Sequence, residues 1–207
     1  MRFSDIDTSK PVHLYLGDMT YNRPATPVQI GVSLTRDDSK HVKHDIINRF
    51  DLPDNSVDSI QSEDVTEHVE YDLLVDCFDE LYRILKPGAL FRLSMPDYRC
   101  DILKQRSLFN NRGAVVFDPG GGGSFDINTR QVSGGGHVWF PVYENVKRLL
   151  DRTQFTNINY LHYYDSQNKP VLNPIDHTLG MVKRTPDHDP RVQQPARPMS
   201  IVVDCYK

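Results

Sequence analysis

The stretch "YDLLVDCFDELYRILKPG" (71–88) constrains the fold more than any other part of the chain. Leu73, Leu74, Cys77, Phe78, Leu81, Ile84 and Leu85 recur at helical spacing and form one apolar stripe. Such a stripe must be buried against another element. Lys86 suits the C-terminal end of this helix, and Pro87-Gly88 stops it. Short β-prone runs flank it, "VDSIQSE" (57–63) before and "ALFRLSMP" (89–96) after. Ahead of the first run, "LPDNS" (52–56) reads as a turn.

Three earlier runs read as strands: "VHLYLG" (12–17), "VQIGVSL" (28–34) and "HVKHDI" (41–46). Only ten residues separate the first two, Pro24 and Pro27 among them, so any helix between them is short or missing. "VYENVKRLLDRTQF" (142–155) predicts a second amphipathic helix, followed by strands at 158–165 and 200–207. Strands alternating with helices predict an α/β fold with a mostly parallel sheet. In open sheets of this kind ligands bind beyond the carboxyl ends of the strands. Gly17, Ser33, Asp45, Glu63 and Asp97 all fall at that edge.

A chain of 207 residues suits a single domain with its own core. Its net charge is -4 and it carries no long basic block, which argues against a dedicated nucleic-acid binder. The three cysteines are far apart without CxxC spacing, so reduced thiols are expected rather than a disulfide framework or a structural zinc. No signal-like or membrane-length apolar segment is present, and the expectation is a soluble, cytoplasmic protein. Two regions look like elaborations. Residues 98–141 hold seven of the twelve glycines between Gly120 and Gly136 and read as a Gly-rich insertion or lid. Residues 166–199 form a long connection between the last two strands. There Asp176, His177, Asp187, His188 and Asp189 lack helical metal-site spacing, and no metal is expected. Lys183 and Arg184 are candidates to hold an anionic substrate.

The central block resembles the class I S-adenosylmethionine-dependent methyltransferases, the type 11 group in particular. Leu52-Pro53, Asp54, Ser56, Val57-Asp58, Glu67-His68 and Arg83 through Gly88 carry the resemblance, in order and spacing. "GGHVWFPVYENVKRLLDRTQF" (135–155) resembles a later segment of that group. The resemblance implies a Rossmann-like seven-stranded sheet of order 3-2-1-4-5-7-6. It implies a three-layer α/β/α arrangement, here with reduced early helices. It also implies S-adenosyl-L-methionine as cofactor and methyl transfer to an O or N atom of a small-molecule or sugar-type acceptor. A non-catalytic binding module on the same fold is the alternative. A dehydrogenase-type site is disfavoured because no GxGxxG follows the first strand.

The resemblance places cofactor contacts at Gly17, Asp18, Ser33, Asp45, Ile46, Glu63 and Asp64. The family's first loop is glycine-rich, whereas here Gly17 is followed by Asp18, Met19, Thr20 and Tyr21. Asp18 could meet the cofactor's ammonium group. Ser33 stands where the family has an acidic residue for the ribose hydroxyls, a role that Asp37 or Asp38 could take over. Asp45 falls where an acidic residue often meets the adenine amino group. Glu63 and Asp64 could contact the ligand or cap the following helix. For the chemistry, His137 is the leading general-base candidate, its rival role being to anchor the glycine loop. Asp97 could line the substrate pocket or bond the loop after it. His68 is a weaker catalytic candidate.

Overall fold

The computed structural model describes residues 1–19 and 29–207. Thr20, Tyr21, Pro24, Pro27 and Val28 lie outside the described residues. One eight-stranded sheet organises the molecule. Its strands are β1 (His13–Leu16), β2 (Ile30–Ser33), β3 (His41–Lys43), β4 (Val57–Glu63), β5 (Leu85–Pro96), β10 (Asn157–Tyr164), β11 (Pro170–Leu172) and β12 (Ser200–Tyr206). The order is β3-β2-β1-β4-β5-β12-β10-β11. Strands β3, β2, β1, β4 and β5 run parallel, and β12 is antiparallel to both neighbours. This is the 3-2-1-4-5-7-6 order with one edge strand, β11, added from the long connection.

Helix α1 (Leu74–Ile84) is shorter than its sequence pattern. Leu85 is already extended and begins β5. Pro87 sets the limit, because it steers Lys86 away from helical geometry and the helix must stop at or before that residue. Leu73 falls off the buried stripe and is exposed. Helix α3 (Tyr143–Leu150) follows later, and the short α2 (Asp101–Arg106) opens the insertion. The insertion also forms two small hairpins, β6 (Leu108–Phe109) with β7 (Val115–Phe117), and β8 (Ser124–Asp126) with β9 (Gln131–Ser133).

The strand register explains why the two sheet faces differ. Leu14, Ile60, Phe91 and Cys205 form one row across β1, β4, β5 and β12, and Leu16, Ser62, Leu93 and Val203 the next. These rows pack on Leu74, Phe78 and Leu81 of α1 and on Val146 and Leu149 of α3, all fully buried. Burial of this kind is worth ~1.5–3 kcal/mol per large side chain. The opposite face carries the row Tyr15, Gln61, Arg92 and Asp204. Arg92 donates to both Asp204 oxygens (2.8 and 2.7 Å) and to the carbonyls of Asp176 (2.7 Å) and Gly180 (2.5 Å). Gln61 donates to the Met181 carbonyl at 2.6 Å. On this face hydrogen bonds hold the 174–185 stretch of the connection against the strands.

All three cysteines are free and buried. Among the described residues no helix is long and apolar enough to cross a membrane.

Candidate active site

Strand order reverses between β1 and β4, and a cavity of about 510 Å³ opens beyond the carboxyl ends of β1, β2 and β4. This is where a parallel sheet leaves room for a ligand, because the loops on either side diverge. The volume lies in the range that holds a small molecule or cofactor. Gly17, Asp18, Ser33, Asp45, Ile46 and Asp64 line it. Val32, Leu34, Ile46, Ile47, Val65, Val69 and Leu73 give it apolar walls. Leu34, Ile47 and Leu73 stay exposed at its edge.

Gly17 ends β1 with φ +104° and donates its N–H to the Val32 carbonyl at 2.8 Å. A side chain here would be strained and would press on Val65 at 3.0 Å. The following Asp18 is turned toward β2, where the Ser33 hydroxyl donates to its carboxylate. Arg36 Nε lies 3.3 Å from the other Asp18 oxygen. The Ser33 oxygen also accepts the N–H groups of Thr35 (3.1 Å) and Arg36 (2.9 Å). Ser33 is therefore committed to shaping its loop and holding Asp18, while Asp18 keeps acceptor capacity beside the end of β2. Asp37 and Asp38 are directed elsewhere. The first meets the Met1 ammonium at 2.6 Å, and the second accepts from Lys40 N and bonds the His41 ring, each at 2.8 Å.

Asp45 accepts the Ile47 N–H at 3.2 Å, so it closes a turn and lines the cavity at once. Glu63, at the end of β4, is buried and accepts the Lys183 N–H at 2.6 Å rather than lining the cavity. Asp64 adopts φ +58°, an uncommon conformation for a residue with a side chain. Its carboxylate pairs with Arg184. The long connection thereby closes onto the carboxyl edge of the sheet, while the Lys183 side chain stays exposed.

The two residues expected to do chemistry stand outside the cavity lining. Asp97 is fully buried, and its carboxylate accepts the N–H groups of Arg99 and Tyr164, each at 2.9 Å. It ties β5 to its own loop and to β10, the second of the roles open to it in the sequence. Burial pushes its carboxyl up to about 6. His137 is buried one layer behind His68, which does line the cavity. The two rings meet edge to face at 4.6 Å. Val138 donates its N–H to the Glu67 carbonyl and Trp139 its indole N–H to the Thr66 carbonyl, each at 2.9 Å. This pairing brings residues distant in sequence together. His137 Nε2 faces the Glu67 carboxylate at 3.6 Å. Gly121 makes room for the imidazole, since a side chain there would stand 2.7 Å from the ring. Burial, reinforced by His68, pushes the His137 imidazole down to about 4. Sequence reasoning missed this grouping because no local spacing links Glu67 to His137.

Residues 26–93 match the methyltransferase domain family, type 11. No curated protein matches the chain in sequence. A SAM-dependent methyltransferase structure from Methanosarcina mazei superposes with a TM-score of 0.51 at 12 % identity, covering 94 % of this chain and 91 % of that one. A SAM-dependent methyltransferase from Thermotoga maritima, a possible histamine N-methyltransferase, gives 0.53 at 15 % identity, with coverages of 96 % and 83 %. The fold is that of the class I S-adenosylmethionine-dependent methyltransferases, and the segment 26–93 carries the type 11 methyltransferase signature.

Proposed function

We propose that the chain is an S-adenosylmethionine-dependent methyltransferase whose cofactor occupies the cavity at the reversal of strand order. The observation that carries this reading is the Asp18–Ser33 pair at the ends of β1 and β2. The strand-two position lacks an acid, and the carboxylate that would accept the ribose hydroxyls comes from the β1 turn instead. The chain's residues fit the cofactor in three further respects. The Gly17 turn leaves backbone approachable at a place a side chain would fill. The apolar walls between Ile46, Ile47, Val69 and Leu73 suit a flat adenine. Asp45 stands beside them with one carboxylate oxygen bonded to its own turn.

S-adenosylmethionine, when bound, supplies a methyl group on a positively charged sulfur, which a nucleophile displaces. The protein's contribution is to hold donor and acceptor in line and to keep water out. Asp18, Asp45 and the Gly17 turn would hold the donor. His68 stands on the cavity wall, where an acceptor would approach. His137 stands behind it and would act through it.

We further propose a small-molecule or sugar-type acceptor methylated on oxygen or nitrogen. The cavity is bounded and partly apolar, and the net charge of -4 gives no general attraction for nucleic acid. The test is release of S-adenosylhomocysteine from the cofactor in the presence of panels of small hydroxyl and amine acceptors. Turnover that depends on an acceptor supports the reading. Cofactor binding without turnover on any panel, from folded protein, would instead favour a non-catalytic module.

A further inference from the structure

The region behind the cavity wall is unusual for a protein interior. Glu67 is fully buried, yet neither of its carboxylate oxygens accepts a hydrogen bond from the described residues. Buried carboxylates are almost always bonded, and the exceptions call for an explanation. Both neighbouring imidazoles are held by Nδ1. His68 Nδ1 lies 2.8 Å from the Gly135 carbonyl, which can only accept, so this nitrogen carries the proton. His137 Nδ1 lies 2.5 Å from the Tyr98 oxygen. Tyr98 donates its one proton to Asp118 at 2.7 Å, so His137 Nδ1 must be the donor in its pair. In both rings the Nε2 lone pair is left over. His137 Nε2 lies 3.6 Å from the Glu67 carboxyl, too far for a hydrogen bond.

We infer that Glu67, His68 and His137 form a binding site for a divalent transition-metal ion of the zinc class, at the back wall of the cavity. One ligand atom from each residue lies within 4.8 Å of the other two. Two ligands each ~2.0–2.1 Å from one tetrahedral ion stand ~3.3 Å apart. The Glu67–His137 separation of 3.6 Å is close to that span. Two neutral imidazoles and one carboxylate suit such an ion and leave a coordination position open. The outer contacts match what metal-binding histidines need: a carbonyl behind His68, and a tyrosine backed by a carboxylate behind His137. Arg106 holds that same Asp118 oxygen at 2.7 Å, which fixes the relay. Arg184 is engaged by Asp64 and leaves the Glu67 oxygens to the ion. The open position would face the cavity on the His68 side, since His68 lines it and the other two ligands are buried.

The experiment uses the full chain, stripped of metal and without S-adenosylmethionine, so it succeeds or fails independently of the methyltransferase reading. Cobalt(II) is titrated in and its visible absorption followed, then zinc is added in competition. The expected result is one cobalt ion per chain, with the bands of a low-coordinate ion, displaced by an equivalent of zinc. His68→Ala, at an exposed position, should weaken cobalt binding by at least ~10-fold while circular dichroism stays unchanged. Tyr98→Phe keeps the ring but removes the acceptor behind His137, and should weaken binding by ~10-fold. Folded wild-type protein that takes up no stoichiometric cobalt, or cobalt bands that persist unaltered in His68→Ala, would overturn the proposal.

Discussion

Two polar interiors lie within this small molecule, and they are built on opposite terms. On the sheet face covered by the 174–185 stretch, Arg92, Asp204 and Gln61 are matched by ionic partners or backbone carbonyls. Behind the cavity, neither Glu67 oxygen accepts a hydrogen bond from the described residues, and the two neighbouring imidazoles are held through Nδ1. Burial alone does not separate the two regions, since Arg92 and Glu67 are almost equally inaccessible. What separates them is satisfaction. A closed network fixes a chain segment, here the 174–185 stretch over the sheet. An open one is costly to keep unless something binds there. Asp18 stands between these extremes, held by Ser33 and Arg36 but with acceptor capacity left.

The largest effect should come from breaking the closed network. Arg92→Met leaves Asp204 buried and unpaired, and should cost about 3–5 kcal/mol in urea unfolding. The double change Arg92→Met with Asp204→Leu should recover most of that loss, because no uncompensated charge remains. If the double variant is as unstable as the single one, the carbonyl bonds to Asp176 and Gly180 matter more than the ion pair. The open network should respond the other way, gaining stability from outside. Zinc at a free concentration of 100 times its dissociation constant should stabilise the wild type by about 2.7 kcal/mol, seen as a rise in melting temperature. His68→Ala, binding at least ~10-fold more weakly, should cut that gain to about 1.4 kcal/mol or less at the same zinc concentration.

Effects at the cofactor wall should be smaller. Asp18→Ala removes one charge-assisted hydrogen bond of about 1.5–3 kcal/mol, and should weaken S-adenosylmethionine binding by ~10- to 100-fold in calorimetry. Unchanged affinity would show that Asp18 serves only the loop. Ser33→Ala leaves the carboxylate in place but loosens it. The expected weakening is that of a neutral hydrogen bond, about 0.5–1.5 kcal/mol, which is less than for Asp18.

Much of the fold was legible in the sequence, because long apolar patterns survive in it. The stripe of α1, the runs of β4 and β5, and the terminal strands gave the elements, and the resemblance implied their order, apart from β11. β11 and the four hairpin strands of the insertion span two or three residues each, too short for any period to register. The site was legible as a list of residues and not as a set of contacts. Asp18 and Ser33 were both singled out, but with separate partners, since only the β1–β2 register brings them together. Glu67 and His137 meet through backbone pairing of 138 with 67, which leaves no trace in local spacing. Asp97 looked like a pocket residue because it ends a strand at the ligand edge. Its carboxylate turned out to be needed by two backbone N–H groups.

The measurement that bears most directly on the whole account is calorimetric titration of the folded wild-type chain with S-adenosylmethionine and S-adenosylhomocysteine. The account predicts one site per chain with micromolar affinity, weakened in Asp18→Ala. No heat with either ligand at high concentration would contradict it, and would leave the Gly17–Asp18–Ser33 wall without a cofactor to explain it.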